Sequence, residues 1–101
     1  RLNATYQRVA YLQAATLYNN NRYQEALPLL DKSLKYPQDD ALRAAAQVLK
    51  GEIYSVGQQY QPAITAYTAA ARTARDGAAA DTDFDQKARY GLGYAYYNTK
   101  Q

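Results

Sequence analysis

The chain has 101 residues, 48% of them hydrophobic, and a formal net charge of +3, which predicts one compact domain or a section of a repeat array. It contains neither Cys nor His, which excludes disulfides and thiolate metal sites and removes the commonest general base. Its basic residues are scattered rather than clustered, so we expect no nucleic-acid binding, and no apolar run reaches the roughly 20 residues of a membrane-spanning helix.

Helical spacing of apolar residues dominates from the start of the chain. The first predicted helix covers residues 2–19 and ends at the Asn run of residues 19–21, because Asn favours turns and accepts left-handed backbone. The second covers residues 24–35 and ends before Pro37, which cannot continue a helix.

Three more helices follow. The third begins at Asp39 or Asp40, both good caps, and ends at Gly57. The fourth covers residues 61–75, and the fifth covers residues 82–98. The sequence therefore predicts an all-α fold of five helices with short connections.

Two segments of the chain are near copies. The stretch YQEAL at residues 23–27 recurs as YQPAI at residues 60–64, which is 37 positions later. A small residue, Ala14 or Gly51, lies twelve positions before the Ala of each copy. Independent helices would not keep such offsets, so the pattern indicates tandem helical hairpins.

These hairpins resemble the tetratricopeptide repeat family, whose pattern is W-x2-L-G-x2-Y, then A-x3-F, then P. The matching positions are Gly51, Tyr54, Ala63 and Tyr67 in the second copy, and Leu92, Gly93 and Tyr96 near the C-terminus. The chain departs from the pattern at the Trp positions, which hold Ala10, Gln47 and Arg89.

The resemblance implies a right-handed α-α superhelix of about 2.5 repeats in a single segment, residues 1–101. Repeat one is expected at residues 4–37 and repeat two at residues 39–75. Residues 82–101 would be the first helix of a truncated third repeat. That helix would leave an apolar face uncovered around Leu92 and Tyr96, so we expect it to self-associate or to fray.

The sequence GLG at residues 91–93 is not expected to bind a nucleotide. A dinucleotide fingerprint requires a third Gly at the position of Tyr96. The family pattern instead places Gly93, like Gly51 and Ala14, where two helices approach closely. It also assigns five tyrosines to helix-on-helix packing: Tyr23, Tyr54, Tyr60, Tyr67 and Tyr96.

Other tyrosines follow a separate stripe on the first helix of each repeat. Tyr11 and Tyr18 lie at positions −3 and +4 from Ala14, and a second pair lies at the same offsets from Gly93. In the family, this stripe lines a concave groove that binds partners. The groove residues that the resemblance implies are Arg8, Tyr11, Tyr18, Asn19, Val48, Glu52, Ser55, Lys87, Tyr90, Tyr94, Tyr97 and Asn98. The alternative is that these tyrosines only fill gaps between small side chains.

The expected function is protein–protein interaction, as part of a longer scaffold or adaptor that binds a peptide or helix. We expect no catalytic residue, cofactor or metal. The family's clamp for a C-terminal carboxylate is absent, because its Asn positions hold Ala15 and Glu52. Two alternatives stay open: a structural spacer or oligomerisation segment, and regulatory repeats attached to an enzyme. The composition favours a bacterial protein, of the cell envelope more than of the cytoplasm.

Overall fold

A computed structural model of the chain describes residues 2–36, 39–76 and 82–99. These residues form five helices and no strand, which confirms the predicted all-α fold. The helices are α1 (Leu2–Asn19), α2 (Tyr23–Leu34), α3 (Asp40–Val56), α4 (Tyr60–Asp76) and α5 (Thr82–Thr99). Within these residues, none of the helices is long and apolar enough to cross a membrane.

The helix ends follow local chemistry that the sequence displays. Asn21 has the left-handed φ of 62° that the Asn run after α1 predicts. Asp39 is the N-cap of α3, and its carboxylate accepts a hydrogen bond of 3.1 Å from the Leu42 amide. At the end of α3, Gly57 keeps a negative φ, and Gln58 takes the left-handed one at 60°.

Each helix packs against its neighbours in the chain, and α3 also contacts both α1 and α5. Two core clusters result, and α3 contributes to both. The first cluster lies among α1, α2 and α3 and contains Ala14, Ala26, Leu30, Ala46, Leu49 and Ile53. The second lies among α3, α4 and α5 and contains Val48, Ala63, Tyr67, Ala70, Ala71 and Ala88. Most of these side chains are alanines, which allow the helices to approach closely.

The close contact of α5 with its neighbours is made by Gly91, and the assignment of that role to Gly93 is wrong. An ideal Cβ on Gly93 would meet nothing within 4 Å. A Cβ on Gly91 would collide with Tyr67 Cζ, and one on Gly51 would lie 2.6 Å from Tyr67 Cε1. The buried Tyr67 ring therefore has a glycine from each of two helices against it.

Because Gly91 rather than Gly93 makes the contact, the inward face of α5 is also different from the predicted one, and Tyr96 is not among the tyrosines that pack helix on helix. Its side chain is 40% exposed, whereas the preceding Ala95 is fully buried. The inward stripe of α5 consists of small residues, namely Ala88, Gly91 and Ala95. The uncovered aromatic surface of α5 is thus larger than expected, because its exposed rings include Tyr90 at 80% and Tyr97 at 82%.

A buried glutamine joins α1 to the beginning of α3. Gln7 is fully buried, and its Nε2 donates to the Asp39 carbonyl while its Oε1 accepts from the Asp39 amide, both at 3.0 Å. The buried Ser33 hydroxyl donates to the Gln7 carbonyl at 2.9 Å. One residue thus links three helices, through its side chain to the start of α3 and through its backbone carbonyl to α2. The polar atoms of its side chain are satisfied, as burial requires.

Candidate partner-binding groove

A cavity of about 590 Å³ opens between α1, α3 and α5, with Tyr67 of α4 also lining it. We call it the central cavity. Seven of the predicted groove residues line it: Tyr18, Val48, Glu52, Ser55, Lys87, Tyr90 and Tyr94. Four further lining residues were not predicted: Val56, Tyr67, Gln86 and Gly91. The stripe on the first helices therefore does gather around one concavity, although over a narrower set of residues.

Five predicted groove residues do not line the central cavity: Arg8, Tyr11, Asn19, Tyr97 and Asn98. Tyr11 packs against the first core cluster. Tyr97 lines a separate depression of about 310 Å³ on α5. The Asn98 side chain donates a 2.7 Å hydrogen bond to the Tyr94 carbonyl of its own helix.

Tyr67 lines the cavity from α4 and is only 4% exposed. Burial raises its pKa to about 12; the nearby Ser55 hydroxyl opposes this rise, whereas the charge of Glu52 adds to it. The Ser55 Oγ atom is itself buried and has no partner of proper hydrogen-bond geometry among the described residues. The hydroxyls of Tyr67 and Ser55 therefore lie close to each other beside the cavity.

Among the residues that the structure describes, Glu52 is the only carboxylate that lines the cavity. It is partly buried, and this burial raises its pKa above the ordinary value of 4.5, an effect that Lys87 opposes. Among the described residues, its carboxylate forms neither a hydrogen bond nor an ion pair within 4.0 Å. The Lys87 ammonium lies instead 5.7 Å from the centre of the Phe84 ring. Glu52 is thus a carboxylate whose acceptor atoms are unused.

Tyrosine rings from α1 and α5 line the cavity together with this carboxylate. Tyr18 is braced by Tyr23 in an edge-to-face contact, with ring centres 5.4 Å apart. Tyr94 is held in the same way by Tyr60 at 6.2 Å. Tyr90 projects into solvent with 80% of its side chain exposed. The cavity therefore combines two braced rings, of which Tyr94 is itself 49% exposed, with the more exposed ring of Tyr90.

The described residues contain no group of three or more His, Cys, Asp or Glu placed to bind a metal ion. The lining residues offer a ligand ring faces, the Glu52 carboxylate, the Lys87 ammonium and hydroxyls. Comparisons with protein-family models, with curated proteins and with solved structures returned no match.

Proposed function

We propose that this chain is a protein–protein interaction module in which a segment of the partner lies across the central cavity. The single observation that supports it best is the convergence of residues from α1, α3 and α5 around one concavity. Its volume of about 590 Å³ lies within the range of sites that bind ligands or anchoring side chains. Tetratricopeptide-like hairpins forming a right-handed superhelix are part of this proposal, since α3 contacts both α1 and α5.

Exposure separates binding residues from packing residues among the tyrosines. Tyr67 is nearly fully buried and packs the core, whereas Tyr90 is 80% exposed and adds little to packing. A ring that stays in solvent beside a cavity is available to a partner, and Tyr is enriched at the centres of interfaces. The burial of Tyr67 agrees with the packing role that the repeat pattern assigns to it, and the exposure of Tyr90 favours binding over gap-filling for that ring.

Replacement of Tyr90 by Ala tests the proposal, with Tyr97→Ala as the matched control. Both residues lie on α5 and are more than three-quarters exposed, at 80% and 82%, but only Tyr90 lines the central cavity. Peptides would first be selected against the wild-type chain from a displayed random library. We expect Tyr90→Ala to weaken the selected peptides about 5- to 30-fold, or about 1–2 kcal/mol. Tyr97→Ala should leave both affinity and circular dichroism unchanged.

Two results would contradict the proposal. One is a selection that yields no peptide binder. The other is a set of binders that Tyr90→Ala and Tyr97→Ala weaken equally, because these would bind the exposed surface of α5 rather than the cavity.

A second candidate function is self-association through α5, and the exposure of its aromatic rings favours it. Four tyrosines of this helix are at least 40% exposed: Tyr90, Tyr94, Tyr96 and Tyr97. Light scattering over a range of concentrations distinguishes this candidate from the first. Self-association predicts a mass that rises with concentration and that Tyr97→Ala lowers, whereas a partner-binding module remains monomeric.

A further inference from the structure

We infer that the central cavity binds an arginine side chain of the partner segment, with the Glu52 carboxylate as its counter-charge and tyrosine rings as its walls. This inference rests on the proposed function and specifies the chemistry of the partner. It depends on three features of the cavity: an unpaired carboxylate, the tyrosine rings that line the cavity with it, and the position of the Lys87 ammonium.

The Glu52 carboxylate lacks what a partly buried anion needs. Removing an anion from water is unfavourable unless hydrogen bonds or an opposite charge replace the lost hydration. No described residue supplies either within 4.0 Å. An apolar guest would remove the remaining water and leave the charge uncompensated, and an acidic guest would add repulsion. A cationic donor is the guest that this carboxylate complements.

The rings make arginine a better guest than lysine. A guanidinium is planar and weakly hydrated, so that it stacks on aromatic faces while donating two parallel hydrogen bonds to a carboxylate. Tyr18 of α1 and Tyr94 of α5 both line the cavity, and an edge-to-face contact with a neighbouring tyrosine holds each ring in place. Tyr90 is exposed and free to cover the guest. A lysine ammonium would lose more hydration and would use only one carboxylate oxygen at a time.

Lys87 lines the same cavity, and its positive charge disfavours a cationic guest although it does not pair with Glu52. Its positive charge opposes the rise in the pKa of Glu52, so the two groups sense each other. The ammonium nevertheless lies over Phe84, at 5.7 Å from the ring centre, and forms no ion pair with Glu52. Neutralising Lys87 should therefore strengthen the binding of a cationic guest. If Lys87 were the anchor of an acidic guest, the same change would weaken binding.

The binding should also depend on pH through Glu52. The titratable groups that face it are Tyr11 and Tyr18 from α1, Tyr67 from α4 and Lys87 from α5. The pKa values of the three tyrosines are raised above 10.0, mainly by burial, so these groups stay neutral in acid. Affinity for an arginine guest should therefore fall as the pH drops through the elevated pKa of Glu52, which lies above 4.5.

The experiment uses a displayed random peptide library, selected in parallel against the wild-type chain and Glu52→Gln. Glutamine keeps the size of the side chain and removes its charge, and circular dichroism verifies that the variant folds. One selected peptide is then synthesised in two forms, with arginine or with its neutral analogue citrulline. We expect arginine at one position among the wild-type binders only. The citrulline form should bind the wild-type chain about tenfold more weakly or worse, and both forms should bind Glu52→Gln alike.

Lys87→Gln supplies a second test in the opposite direction, with tighter binding of the arginine form expected. Binders that depend on Tyr90 but lack arginine, or an equal citrulline effect in wild type and Glu52→Gln, would overturn the inference and leave the proposed function standing. Acidic binders that Lys87→Gln weakens would do the same. A selection without any binder that depends on Tyr90 would overturn the proposed function together with the inference.

Discussion

Replacing Gly91 by Ala tests the contact on which the packing of α5 depends. The new Cβ would collide with Tyr67 Cζ. The ring has no room to move toward α3, because it already lies against Gly51. The control lies two residues further along the same helix. A Cβ on Gly93 would meet nothing within 4 Å, so Gly93→Ala changes helix propensity alone.

Gly93→Ala and Gly91→Ala are expected to change the free energy of unfolding in opposite directions. Ala stabilises a helix interior by about 1 kcal/mol relative to Gly. Gly93→Ala should therefore raise the melting temperature by about 4–8 °C, the shift that about 1 kcal/mol produces in a domain of this size. Gly91→Ala has the same gain, but overpacking against Tyr67 costs about 1–3 kcal/mol. Its net effect should be a loss of up to about 2 kcal/mol.

Thermal and urea unfolding followed by circular dichroism measure both variants, each also in a Tyr67→Leu background. The smaller side chain removes the collision, so Gly91→Ala should then stabilise the chain as much as Gly93→Ala does. Equal stabilisation by the two changes in the wild-type background would refute the packing of Gly91 against Tyr67. A gain for Gly91→Ala together with a loss for Gly93→Ala would restore the register that the repeat pattern predicted, with Gly93 at the contact.

Two other changes probe interactions inside the fold. Gln7→Ala removes two hydrogen bonds to Asp39 and leaves a buried gap, so urea unfolding should show that the free energy of unfolding falls by about 2–4 kcal/mol. The same change at the exposed Gln13 should alter it by no more than about 0.5 kcal/mol. Similar losses for both variants would contradict the role of Gln7. Because the pKa of Tyr67 is raised to about 12, folding stability is lost as the pH rises from the ordinary value of 10.0 through 12. Tyr67→Phe should reduce this alkaline loss of stability, which is measured as melting temperature against pH. The same change at the exposed Tyr90 should not reduce it. An unchanged loss in Tyr67→Phe would show that another group causes it.

The helices were predictable because their ends depend on neighbouring residues. The Asn run after α1, the cap at Asp39 and Pro62 in the first turn of α4 act within a few positions of the ends they set. The contact between Gln7 and Asp39 spans 32 residues, and no local pattern predicts it. One signal was present: Gln7 lies three positions before the buried Ala10, on the inward face of α1.

The register of α5 was mispredicted because two alignments of the repeat pattern fit the same stretch. A small residue followed three positions later by Tyr occurs at Gly93 and also at Gly91. Side-chain size resolves the ambiguity: Ala88, Gly91 and Ala95 form a stripe of small residues at helical spacing, and this stripe is the buried one. The stripe was visible in the sequence, but the leucine before Gly93 matched the family pattern and favoured the other register.

Part of the predicted groove lies outside the cavity, including three residues of α1 that the register of α5 does not affect, namely Arg8, Tyr11 and Asn19. Offsets counted from Gly93 include Tyr97, whereas the central cavity includes Gly91, Gln86 and Tyr67. Glu52 was correctly placed on the concave stripe, but its unpaired state depends on where the Lys87 ammonium lies in three dimensions. Sequence spacing thus predicts which helix face carries a charge. The distance to the nearest opposite charge decides whether that charge stays available to a partner, and only the folded arrangement of α3 and α5 determines that distance.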